Sequence, residues 1–220
     1  HGTLFITECQ TGGRGRRGRT WISPAGSGIW MSLVLRPDIE PSSASMLTIV
    51  AAMAMTKAIS ENVSEAECKI KWPNDIYCQG RKLTGILTEM SGETDRINYQ
   101  VVGIGSNANI PMESFPEDIR DKAGSMSGIL GHDIDRVVFL QKILTYMENL
   151  YVDVLKNGFD WALDQWREYS ITLGQLIDVV GVQEKFAGVA EDIDEDGALL
   201  VRTDTGLRRV LAGDVSIRPR

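Results

Sequence analysis

The chain has 220 residues, of which 43% are apolar and 24% charged, and its formal net charge is −7. That composition belongs to a globular protein able to bury a core, and its acidity excludes a general nucleic-acid coat while leaving room for a local basic patch. Two histidines, His1 and His132, and three cysteines without a C-x-x-C pair (Cys9, Cys68, Cys78) argue against His-based triads, His-rich zinc sites and a disulfide framework.

Thr3–Thr7 reads as a strand, followed by a glycine–arginine loop from Gly12 to Arg19 and a buried strand over Gly28–Leu35. Pro41-Ser42-Ser43 marks a helix start, with Ser42 or Ser43 as N-cap and the helix running to about Glu61. Three strands come next, over Cys68–Trp72, Asp75–Cys78 and Leu83–Met90, with Gln79-Gly80-Arg81 as the turn before the last. Arg96–Ile104 is a further strand. Residues 112–132 are polar and weakly patterned.

A long amphipathic helix starts at Asp133. Its predicted stripe is Val137, Val138, Leu140, Ile143, Leu144, Met147, Leu150, Tyr151, Val154 and Leu155, with Gly158 as its C-terminal cap. A shorter helix spans Phe159–Tyr169. From Ile171 onward five short β runs alternate with turn signals, which predicts a small SH3-like barrel. A boundary between Tyr169 and Leu173 divides the chain into residues 1–170 and 171–220. No apolar run reaches the length of a membrane span, no secretory signal is present, and the cysteine usage points to a reducing cytoplasm. The first residue is His rather than Met, so the chain is expected to have lost its N-terminus.

Two motif matches fail on context. Gly13-Arg-Gly15-Arg-Arg-Gly18 satisfies G-x-G-x-x-G, but Ser23-Pro24 and Gly26 stand where a helix must open, so no helix N-terminus is available for pyrophosphate. Asp192-Ile-Asp194-Glu-Asp196-Gly197 begins like an EF-hand loop, yet Thr203 occupies the position of the bidentate Glu. No Walker-A sequence occurs.

Residues 14–19 hold four arginines, Arg14, Arg16, Arg17 and Arg19, separated by Gly15 and Gly18. Glycine lets such a loop wrap a ligand closely, and guanidinium offers a planar donor fork for phosphate or carboxylate. An anion-binding loop, a solvated basic loop and an RNA-contacting segment all fit these residues, with Trp21 and Trp30 as stacking candidates in the last case and Trp30 more naturally core.

The segment Glu8-Cys-Gln10-Thr-Gly-Gly-Arg14-Gly-Arg16-Arg-Gly-Arg-Thr-Trp21 resembles the biotin-binding loop of bacterial biotin–protein ligases. Lys71-Trp-Pro-Asn74-Asp75, Arg81-Lys82-Leu-Thr-Gly85-Ile-Leu and Gly103-Ile-Gly105-Ser-Asn107-Ala-Asn109 resemble further motifs of that family in the same order. The resemblance covers essentially the whole chain. It implies an α+β fold like that of class II synthetases, a mixed sheet with helices, followed by the SH3-like barrel.

The implied activity is ATP-dependent activation of biotin as biotinyl-5′-AMP and transfer to a lysine of a biotin carboxyl carrier protein, with Mg²⁺ assisting. Lys82 and Arg16 are the implied catalytic residues. Gln10, Arg14, Gly15, Arg16, Lys82 and Gly85 would bind biotin, and Asn74, Asp75 and Asn107 would orient nucleotide, metal or amine. No metal ligand set can be named, and no residue within 112–132 can be assigned to cover the adenine. Ser106 and Ala108 stand where the family usually has larger apolar residues. Its Ser-Thr-Asn pocket segment would lie upstream of His1. A lipoate–protein ligase, sharing fold and adenylate chemistry, is the nearest alternative; a nucleic-acid-binding module using the Arg-Gly loop is the other. Neither membrane nor nucleic acid is an expected partner, a homodimer is left open, and no helix-turn-helix repressor domain can be read in these residues.

Overall fold

The protein is described here from a computed structural model covering residues 1–63, 67–181 and 184–218. Six strands form the larger sheet: β1 (Thr3–Thr7), β2 (Gly28–Leu35), β3 (Cys68–Lys71), β4 (Asp75–Cys78), β5 (Arg81–Gly92) and β6 (Ile97–Asn107). Their order across the sheet is β1-β2-β6-β5-β4-β3, and every pairing between them is antiparallel. The mixed sheet expected from the sequence is corrected on this point. Tight turns join β3 to β4, β4 to β5 and β5 to β6, and such turns force antiparallel neighbours. Among the described residues, parallel contact is confined to the isolated bridges Ile70–Ser170 and Lys82–Ala123.

Alternation along the strands separates two faces. On β2, Ile29, Met31, Leu33 and Leu35 join the main core, whereas Trp30 joins a small cluster with Ile110 and Phe115. The main-core face is covered by helix α1 (Met46–Ser60), which is apolar and buried almost all round, as a central core helix must be. A 3₁₀ turn over Pro41–Ser45 precedes it, so α1 starts after the predicted Ser42/Ser43 cap. The stretch Pro41–Ser60 is by length and composition apolar enough to cross a bilayer, contrary to the sequence reading, and 72% of its apolar 18-residue window lies buried inside the protein.

Residues 112–132 contain two short helices, α2 (Glu117–Arg120) and α3 (Met126–Leu130). Ser125 caps α3 by accepting from Gly128 N at 3.1 Å. Helix α4 (Arg136–Asn157) begins at Asp135, whose carboxylate accepts from Val137 N and Val138 N at 2.8 and 3.1 Å. Its buried stripe is Phe139, Ile143, Met147, Leu150, Tyr151 and Val154, while the predicted Val137, Val138 and Leu155 are exposed. The true stripe is rotated toward Phe139, which is fully buried in the first turn. Helix α5 (Asp160–Tyr169) buries Trp166.

Five further strands follow: β7 (Leu176–Val180), β8 (Lys185–Ile193), β9 (Leu199–Thr203), β10 (Gly206–Val210) and β11 (Asp214–Ile217). They make one antiparallel sheet in the order β10-β9-β8-β7-β11. Among the described residues β10 and β11 do not pair, so the predicted barrel is seen as a sheet with two edges. Ile177, Val179, Ala190, Leu199 and Val215 from this sheet belong to the same core as α1. Trp72 donates its indole N–H to Gly197 O at 3.0 Å across the junction. One cysteine expectation fails. Cys68 and Cys78 are register partners on β3 and β4, with Cα atoms 4.4 Å apart, and form a disulfide. Their spacing is uninformative without the hairpin register. Cys9 is free and exposed.

Candidate active site

The sheet face opposite α1 carries one row of chemically telling residues. Strand register sets Lys71 opposite Asp75, Asp75 opposite Gly85, Gly85 opposite Gly105, and Gly105 opposite Trp30. Two adjoining glycines leave a bare patch of backbone at the centre of this row. The Trp21 ring covers the patch: a Cβ on Gly105 would stand 2.6 Å from Trp21 Cε2, and one on Gly85 2.8 Å from Trp21 Cζ3. The indole N–H of Trp21 is buried without a hydrogen-bond partner among the described residues. A cavity of about 610 Å³ opens here, of a size suited to a small-molecule ligand.

Lys82 reaches this face through an irregularity. Ile76 pairs with Thr84 and Tyr77 with Lys82, so the register skips Leu83. The bulge returns Lys82 to the side of Asp75 and Tyr77, where regular alternation would turn it away. Its ammonium lies 2.6 Å from Asp75 Oδ1 and 5.4 Å from the centroid of the Trp21 ring. Both partners of this ion pair are largely buried, so their attraction is screened less than on an open surface.

The arginine loop closes the cavity from the side. Gly15 N donates to Arg19 O at 2.7 Å, and Trp21 N to Gly13 O at 2.9 Å, folding the loop back on itself. Arg16 donates to Asn74 Oδ1 at 3.1 Å and to Gly213 O at 3.0 Å. Burial lowers its pKa, offset in part by Asp214 and Asp75. Asn74 is itself fixed, donating to Ile86 O at 2.5 Å. Arg14 pairs with Glu89 at 3.0 Å in an exposed position, a contact of little energetic weight. Gln10 accepts from Ser23 Oγ at 2.7 Å, and Asn107, almost fully buried, donates to Gly124 O at 2.9 Å.

All nine residues singled out from the sequence line this one cavity: Gln10, Arg14, Gly15, Arg16, Asn74, Asp75, Lys82, Gly85 and Asn107. Others were not assigned from sequence. Gly105 sat inside a quoted motif without a role, and Trp21 was weighed only as a stacking candidate for RNA. Lys71 lines the cavity and makes no ion pair among the described residues; burial lowers its pKa, with the Lys82 charge adding to the effect against Asp75 and Asp214. Tyr77 beside it is pushed up to about 12, chiefly by burial, and stays neutral at ordinary pH. Phe115 and Ile119 enter the wall from the weakly patterned segment, and Asp214 from β11. No cluster of three or more His, Cys, Asp or Glu suited to a metal exists among the described residues.

The model of the Biotin/lipoate A/B protein ligase family matches residues 1–107, and that of the Biotin protein ligase C terminal domain matches residues 172–218. A "Bifunctional ligase/repressor BirA" of Bacillus spizizenii is 40% identical over 98% of this chain, which spans 66% of that relative's length. A "Biotin--[acetyl-CoA-carboxylase] ligase" of Paracoccus denitrificans is 35% identical over 94% of the chain and 86% of its own length. Among solved structures, a biotin protein ligase from Aquifex aeolicus in complex with biotin and ATP aligns with a TM-score of 0.85 and 30% identity, over 100% of this chain and 90% of that one. Fold and cavity therefore fall in the class of biotin/lipoate protein ligases. Within that class, the chain belongs to the biotin protein ligase family.

Proposed function

We propose that the protein activates biotin with ATP and passes the biotinyl group to a lysine of a biotin carboxyl carrier protein. One observation carries this reading: the paired glycines and the Trp21 ring packed on them form an apolar part of the cavity wall that meets the Lys82 ammonium, with Arg16 and Asn74 lining the same cavity. Such an apolar wall suits a flat, neutral ring system. The cation at its end suits the ring's carboxylate tail. The Aquifex relative bound to biotin and ATP supports the same assignment.

The chemistry follows from charge. A biotin carboxylate oxygen attacks the α-phosphorus of ATP; the new P–O bond forms as the bond to pyrophosphate breaks. Two anions must meet, so the demand is electrostatic, and Lys82 and Arg16 supply fixed positive charge where negative charge develops. In the second step the acceptor amine attacks the acyl carbon, a C–N bond forms, and AMP leaves. Asp75, already holding Lys82, is the carboxylate placed to orient or deprotonate that amine. Asn107 and Asn74, each anchored by a backbone carbonyl, keep polar side chains in fixed orientation for the nucleotide.

Mg²⁺ fits this donor set. It commonly binds through one or two carboxylates together with substrate phosphates rather than through an all-protein cage, and Asp75 is the carboxylate beside Lys82. When bound it would neutralise phosphate charge. We assign residues 1–170 to catalysis and residues 171–220 to a unit that supports the loop over the cavity. All four loop arginines have partners within the protein, which disfavours a nucleic-acid track along them.

Exchange of labelled pyrophosphate into ATP tests the reading. Biotin should drive exchange and lipoate should not; exchange driven by lipoate alone would overturn the substrate, and exchange with neither would overturn the reaction.

A further inference from the structure

Trp72 follows β3 directly, stands just before Pro73, Asn74 and Asp75, and is buried. Both of its N–H groups are held by residues that come after α5. The backbone N–H donates to Thr172 Oγ1 at 2.9 Å, and the indole N–H to Gly197 O at 3.0 Å. Thr172 is itself fully buried and fixed: its N–H donates to Ser170 Oγ at 3.1 Å, and the neighbouring Ile171 N to Ile70 O at 3.0 Å. Gly197 closes the acidic turn between β8 and β9, the segment whose sequence begins like an EF-hand loop. Asp194 Oδ1 accepts from Asp196 N and Ala198 N at 3.0 and 2.9 Å, and Arg209 meets both Asp194 and Asp196, so these carboxylates shape the turn itself. The turn is seated on the start of α1. Ser45 Oγ donates to Asp196 O at 2.6 Å, and a Cβ on Gly197, whose backbone is left-handed (φ 74°), would stand 2.8 Å from Ile49 Cδ1.

Pro73 has no N–H with which to anchor the stretch between Trp72 and Asn74. Asn74 is held on its far side by Ile86, which accepts from Asn74 Nδ2 and donates to Asn74 O, and Asp75 is held by Lys82. The near side depends on Trp72. We propose that Thr172 is a positioning residue for the reaction proposed above: together with the Gly197 carbonyl it fixes Trp72, and through Trp72 it sets where Asn74 and Asp75 stand relative to the reacting phosphate and amine. The effect on turnover rests on that proposed function; the anchoring of Trp72 does not. The paired glycines belong to the β5–β6 ladder, so loosening Trp72 leaves that wall of the cavity in place. A displaced Asn74–Asp75 turn instead misaligns groups that act on developing charge, and a misplacement of about 1 Å can cost about 10²-fold in rate. The defect therefore falls on kcat, with the KM for biotin kept.

The test uses the whole chain with Thr172→Val, which keeps the shape and removes the acceptor, and Thr172→Ser, which keeps the acceptor. First, hydrogen exchange at the Trp72 backbone N–H is followed by NMR. That proton should be protected in the parent, exchange about tenfold faster in Thr172→Val, the effect of one lost hydrogen bond, and stay close to the parental rate in Thr172→Ser. Second, in pyrophosphate exchange at saturating ATP, Thr172→Val should lower kcat about tenfold with the KM for biotin within about twofold, and Thr172→Ser should restore kcat. Parental exchange at Trp72 in Thr172→Val overturns the anchoring. A parental kcat, or a raised KM with kcat unchanged, overturns the positioning role. A parent inactive with biotin would sink the proposed function while the hydrogen-exchange result still decides the anchoring. Should Thr172→Val melt early, Thr172→Ala, which removes the acceptor without setting a methyl group against the Trp72 N–H, carries the same expectations.

Discussion

Replacing Gly105 by alanine is the most direct probe of the slot. The added Cβ would meet Trp21 Nε1 first, closer even than the 2.6 Å to Cε2, so the ring must retreat by about 1 Å to reach the 3.4 Å of ordinary contact. Gly105 itself is held on both sides, by Gly85 of β5 and Trp30 of β2, and cannot yield without breaking two ladders. Trp21 sits on a loop between Thr20 and Ile22, and it is the ring that gives way. Overfilling a packed site of this kind costs about 1–3 kcal/mol, which corresponds to a loss of biotin affinity of about 5- to 150-fold. Pyrophosphate exchange at varied biotin, with tryptophan emission to follow Trp21 and thermal melting to follow the fold, measures it. The expected result is a raised KM for biotin, altered emission and a melting temperature within a few degrees of the parent. If KM and emission are both parental, the packing of Trp21 on the paired glycines does not shape the ligand site.

Lys82→Met should lower kcat for adenylate formation by about 10²- to 10³-fold, the usual effect of deleting one preorganised charge donor, while far-UV circular dichroism stays parental. Arg16→Gly removes contacts to Asn74 and Gly213; charged hydrogen bonds contribute about 1.5–3 kcal/mol, so the biotinyl-adenylate should escape about ten- to a hundredfold faster, read as biotin label on bystander lysines. Lys71, its pKa lowered by burial, should lose its proton earlier than an exposed lysine as pH rises. A cation lining the cavity attracts phosphate, so ATP affinity should weaken through that alkaline range in the parent, and Lys71→Met should flatten this pH dependence in isothermal titration.

Much of this site is legible in the chain because its parts are local. The loop from Gln10 to Trp21, the Lys71–Asp75 turn and the Lys82–Gly85 segment each carry their chemistry within a few consecutive residues. The helix α1 declared itself through composition, although its start was misplaced because Pro41-Ser42-Ser43 forms a 3₁₀ turn rather than a capped first turn. What stayed hidden depends on register. That Cys68 faces Cys78, and that Gly85 faces Gly105, follows from which hairpin residues oppose one another, and spacing alone does not say. The exposure of Val137 and Val138 beside the fully buried Phe139 likewise depends on which face of α4 meets the core.

Lys82 shows why such a site needs both kinds of information. Counted along an ideal strand, Lys82 and Gly85 are three residues apart and point to opposite faces. If that held, the cation would face away from the glycine slot, toward α1, where an unpaired ammonium would bear a heavy desolvation cost. The skipped Leu83 resolves the conflict in two ways at once: it buries the leucine completely in the core and returns the lysine to Asp75. The bulge is therefore stabilised by a buried apolar side chain and an ion pair together. Removing either driving force, by Leu83→Ser or Asp75→Ala, weakens the reason for Lys82 to remain at the end of the slot.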